Sequence, residues 1–211
     1  VEQPASGEKI FYSSVAYLQS TDDTSRLDEF RDKGDYEGLL QAAKEYYDGN
    51  GINEQYTFAS PLQNKGDDLL IEDKDFAVVY NNSVGGTYEV MLKYSEQEIR
   101  DHITRYGTRL ASDDIKEVAK DMVAEQFQAI TKQRIPVFEM PSGDILYAGY
   151  NRETDTLDVG TVVNAGLVPN HQFPYDHDNS LESNLQSVHS ELSHMEQYQE
   201  EEVEYSGGMH R

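Results

Sequence analysis

The sequence predicts an α+β fold: an antiparallel sheet, made of a hairpin and a three-stranded meander, covered by two to four helices. Three observations predict it. Short runs rich in β-branched and aromatic residues are joined by turn clusters too short for parallel crossovers. Two longer segments, residues 113–132 and 179–199, repeat apolar residues at helical spacing instead. The chain has 211 residues, and its apolar content of 37% includes 15 Tyr and 7 Phe whose rings extend the packing surface, so a real core is within reach.

Taken in order, residues 1–8 read as a polar tail and KIFYSSVAYL at 9–18 as a strand. A helix over 22–33 stops at Gly34. A second opens on Asp35, a good N-cap, and runs through YEGLLQAAKEYY to the breaker DGNG at 48–51. Residues 53–62 form a strand or extended loop, followed by the turn QNKGDD. LLIEDKDFAVVY at 69–80 and TYEVMLKY at 87–94 read as two strands around the glycine-containing loop NNSVGG. Ser95 and Glu98 complete a capping box, and the helix they open ends at Tyr106-Gly107.

Ser112 caps the strongest helix pattern, where Ile115, Val118, Met122, Val123, Phe127 and Ile130 share a face. The meander follows at 135–140, 145–151 and 157–163, with turns PSGD and RETDT that favour antiparallel pairing. NAGLVPNHQFPYDHD then reads as a loop. The last helix starts near Asn179, with Glu182 at the box position and a stripe of Leu181, Leu185, Val188, Leu192 and Met195. The stripe spans only about two heptads, which suits packing on a sheet better than a coiled coil. The expected division is 1–62 as an N-terminal strand and helical segment, 63–199 as the main α+β domain, and 200–211 as an acidic flexible tail.

Net charge is −23, from 40 acidic and 17 basic residues. That excludes direct nucleic-acid binding as the expected function, because phosphate contact needs clustered Lys and Arg. No run of about 18 apolar residues supports a membrane span. The opening VEQPASGEKI lacks the basic and apolar regions of a signal peptide, so the expected compartment is cytoplasmic. Zero Cys rules out disulfides, thiolate catalysis and Cys-ligated zinc. No GxSxG elbow, Ser-x-x-Lys pair or phosphate loop is present, and no cofactor is expected.

The most unusual stretch runs from Glu153 to His210, with 12 acidic residues, five of the six His and no Lys or Arg. A partner meeting this third of the chain meets a negative surface. The expected contacts are Glu182, Glu191, Glu196, Glu200, Glu201 and Glu202, with Phe173 and Tyr175 as a rigid aromatic patch. His171, Asp176, His177 and Asp178 form a candidate metal set, since imidazole and carboxylate are the ligand types of divalent metals. As a calcium loop it fails, with Leu181 where Gly is needed and Ser187 where Glu is needed.

These features point to a non-enzymatic acidic interaction protein, an inhibitor or DNA mimic that occupies a basic site on a nucleic-acid-handling protein. Two alternatives stand beside it. One is a structural or assembly component that self-associates; the other is a metal-dependent hydrolase using the loop from His171 to Asp178.

Overall fold

The computed structural model describes residues 8–19, 21–47, 56–62, 68–83 and 85–199. The expected tail at 200–211 lies outside them, and the expected boundary at 62 and 63 adjoins the undescribed residues 63–67. The chain divides into two compact units, residues 1–119 and 120–211. Both are antiparallel α+β structures. Hairpin and meander lie in separate sheets of five and four strands, because a different N- or C-terminal strand joins each.

In the first unit, β1 (Ile10–Leu18) takes the free edge of the hairpin by pairing with β5 (Thr87–Ser95). With β2 (Ser60–Pro61), β3 (Leu69–Glu72) and β4 (Phe76–Asn81), the sheet order is β2-β1-β5-β4-β3. The run at 69–80, expected as one strand, is itself a hairpin. Asp73 breaks it: its carboxylate accepts from the N–H groups of Asp75 and Phe76, and its own N–H donates to the Phe76 carbonyl. This turn is pinned from two sides. Lys44 pairs with the Asp73 carboxylate, and Lys93, whose side chain is only 6% exposed, donates to the Asp73 carbonyl at 2.8 Å and pairs with Glu72 at 3.3 Å.

Helices α1 (Ser25–Asp32) and α2 (Tyr36–Lys44) bury Leu27, Leu39, Leu40, Ala42 and Ala43 against Val78, Tyr88 and Val90 of the sheet. Asp35 caps α2 as expected, accepting from the Gly38 N–H at 2.9 Å. Arg31 stacks over Tyr80 at 4.1 Å and donates to the Tyr88 hydroxyl and to Asp28. Helix α3 (Glu96–Tyr106) opens on the expected Ser95–Glu98 box and ends at Gly107, whose φ of 75° suits glycine.

Helix α4 (Asp113–Gln128) carries the boundary between the units. It stops short of residue 132. Ile130 is already extended and Lys132 and Gln133 have positive φ, which prepares entry into the strand containing Pro136.

The second unit's sheet has the order β6-β7-β8-β9: β6 (Ile135–Glu139), β7 (Ile145–Asn151), β8 (Thr156–Val163) and β9 (Gly166–Pro174). The fourth strand occupies most of the stretch expected as a loop. Asn164 and Ala165 both adopt positive φ, the requirement of a two-residue hairpin turn usually met by Asn-Gly. Pro169 and Pro174 are tolerated because β9 is an edge strand. The core holds Val123 and Phe127 of α4, Leu146, Ala148, Leu157 and Val159 of the sheet, and Val188 and Leu192 of α5 (Leu181–His194). Ser180, not Asn179, caps α5, accepting from the Ser183 N–H at 3.1 Å. A short 3-10 turn at Glu196–Tyr198 follows.

Candidate functional site

The acidic, His-rich third of the sequence maps onto β9, the loop after it and α5. Strand alternation decides which side chains of β9 face the core: His171 pairs with Val159 and Phe173 with Leu157. Phe173 is half-buried against the core. The His171 ring shares a 2.7 Å hydrogen bond with the Tyr198 hydroxyl and meets that ring edge-on, which ties β9 to the turn after α5.

Tyr175, expected as a contact residue, is 8% exposed and lies in the core edge-on to Tyr150. Burial, together with the charges of Asp155 and Asp176, pushes its phenol up to about 12. It offers a partner little surface.

His177 turns inward and donates to both oxygens of Asp155 at 2.8 Å. Asp155 also accepts from the Tyr150 hydroxyl at 2.6 Å. Burial first, and that hydrogen bond second, raise the Tyr150 pKa well above the ordinary phenol value. Asp155 sits at φ 54°, in the turn between β7 and β8, so this trio clamps that turn onto the loop entering α5.

Asp176 has another task. One carboxylate oxygen accepts from the Asp178 N–H at 3.0 Å and the other from the Asn179 side chain at 2.7 Å. The expected metal set is therefore not assembled: His171 is bonded to Tyr198, His177 to Asp155, and Asp176 to its own loop. Among the described residues, no three His, Asp or Glu side chains come together in a set able to hold a metal ion.

Asn184, which sequence reasoning passed over, fixes the loop. It is 6% exposed. Its amide nitrogen donates to the carbonyls of Asp176 and Ser180, each at 2.9 Å, and its oxygen accepts from the Asp176 N–H at 2.8 Å. The signal available was weak: one Asn at a core-facing position of a helix, four residues after a serine cap.

Glu182, Glu191 and Glu196 are exposed, and among the described residues they make no ion pair. Glu182 lies in the first turn of α5, where the helix dipole favours it. Glu200, Glu201 and Glu202 lie outside the described residues. Between β9, the loop and α5 is a pocket of about 140 Å³ walled in part by Phe173, Asp176, Ser187 and Glu191.

No family model, curated protein or solved structure matches the chain. Among the described residues, no helix is long and apolar enough to cross a membrane.

Proposed function

We propose that the chain is a non-enzymatic acidic interaction protein that inhibits a nucleic-acid-handling protein by occupying its basic site. One observation carries the reading. From Glu153 to His210 there are 12 carboxylates and no Lys or Arg, and the exposed Glu153, Asp176, Glu182, Glu191 and Glu196 make no ion pair among the described residues. These carboxylates are held on a hairpin turn, a hydrogen-bonded loop, a helix and its terminal turn. Fixed charge of one sign is what a basic groove selects, both in steering the encounter and in register.

The test is affinity capture from the native host lysate at low and high salt, followed by competition with duplex DNA. Recovery of a basic protein released by both salt and DNA is expected. Capture that resists salt, or recovery of self-copies alone, would overturn the reading.

A second reading, an assembly component, is favoured by Phe58 at 67% and Leu110 at 76% exposure in the first unit. It predicts concentration-dependent association of the pure protein in sedimentation equilibrium.

A further inference from the structure

We propose that the pocket beside α5 is an acceptor site for a single arginine side chain of the basic partner. This rests on the inhibitor reading and gives the acidic surface a defined anchor point.

Size comes first. At about 140 Å³ the pocket is well below the roughly 300–1,000 Å³ of small-molecule sites, and it suits one side chain better than a metabolite. Chemistry then selects the side chain. Phe173 and Val188 give an apolar wall, and the Phe173 ring is an aromatic surface suited to a flat cation. Glu191 brings a carboxylate, Asp176 brings a second whose oxygens each accept one loop hydrogen bond and keep a further lone pair, and the Ser187 hydroxyl adds a neutral acceptor.

No cation of this third of the chain competes for the space, since residues 153–210 contain no Lys or Arg. The helix end does not make it an anion site either, because Ser180 already engages the Ser183 N–H. A planar group with five N–H donors and a stackable face satisfies this wall more fully than an ammonium, which has three donors and no plane. Hot spots of protein interfaces are commonly arginines seated in such pockets. The site is also set before binding, because Asn184 and the Asp176 loop bonds fix its walls.

The test is an NMR titration of the full chain with N-acetyl-arginine methylamide at moderate salt, with the lysine analogue in parallel. Saturating shifts confined to the amides of Asn179, Ser183, Ser187 and Glu191 are expected, with the lysine analogue weaker. Glu191→Gln removes one charge-assisted partner and is expected to weaken binding about tenfold. Ser187→Leu, which fills the pocket, should abolish saturation, and Gln186→Ala, on the same helix outside the pocket, should leave it unchanged.

Non-saturating shifts spread over the acidic surface, or equal binding by Glu191→Gln and Ser187→Leu, would overturn the proposal. The DNA-competed capture separates the two ideas. If capture succeeds and the titration fails, the pocket is not the anchor; if the titration succeeds and capture fails, an arginine site remains without the inhibitory role.

Discussion

A buried carboxamide whose donors and acceptor are all engaged turns a polar loop into a fixed one, and Asn184 does this for the segment entering α5. Replacing it with Ala would leave the Asp176 N–H without its acceptor, while the carbonyls of Asp176 and Ser180 keep the backbone N–H groups of Asn179 and Asn184. One donor left unpaired costs about 1–3 kcal/mol, so Asn184→Ala is expected to destabilise the second unit by an amount in that range. Urea denaturation checks this, and a loss below about 1 kcal/mol would mean that the loop finds other partners. Gly160 is as constrained at the backbone level. It sits at the β8 bulge, and a Cβ there would overlap the Val168 carbonyl, so only glycine lets β9 approach.

At the scale of elements, the β3–β4 hairpin depends on one ionised side chain. Burial opposes the charge of Asp73, but hydrogen bonds from Lys44 and from the Phe76 and Asp75 N–H groups outweigh it, and its pKa lies below the ordinary value. The unfolded chain therefore takes up the proton first. Stability from this turn is fully present above the unfolded value of about 3.9 and is lost as pH falls through the lower folded value. Asp73→Asn keeps the oxygen that accepts from Asp75 and Phe76 but removes the titration. Denaturation midpoints measured from about pH 6 down to about pH 3 should fall less steeply in the variant; parallel curves would place the acid sensitivity elsewhere.

Across the whole molecule, charge outweighs every other influence outside the cores. A net charge of −23 on 211 residues repels itself in the compact state more than in the expanded one. Salt shortens the screening length from about 30 Å at 0.01 M to about 3 Å at 1 M. The thermal midpoint is therefore expected to rise as NaCl goes from about 0.01 to 0.5 M, over the same range in which the proposed binding to a basic partner is expected to weaken. A midpoint that stays flat or falls would show that local ion pairs such as Lys93–Glu72 outweigh the general repulsion.

Elements whose signals are local could be read directly from the residues: β1 from its aromatic and β-branched run, α2 from the Asp35 cap, α3 from the Ser95–Glu98 box, and α4 from its apolar period. The sign and one-sidedness of the charge were equally plain. The turn that Asp73 makes with Asp75 and Phe76 is local, but only the folded chain shows what holds it in place, because the pinning contacts come from Lys44 and Lys93, 29 and 20 residues away. The same holds for the proline-bearing loop that becomes β9, since an edge strand exists only by virtue of the strand beside it. The candidate site divides along the same line. Its carboxylates and imidazoles were legible as residue types, but whether His171 and His177 face a metal, a solvent surface or Tyr198 and Asp155 depends on packing between segments 22 to 27 residues apart, which no local pattern encodes.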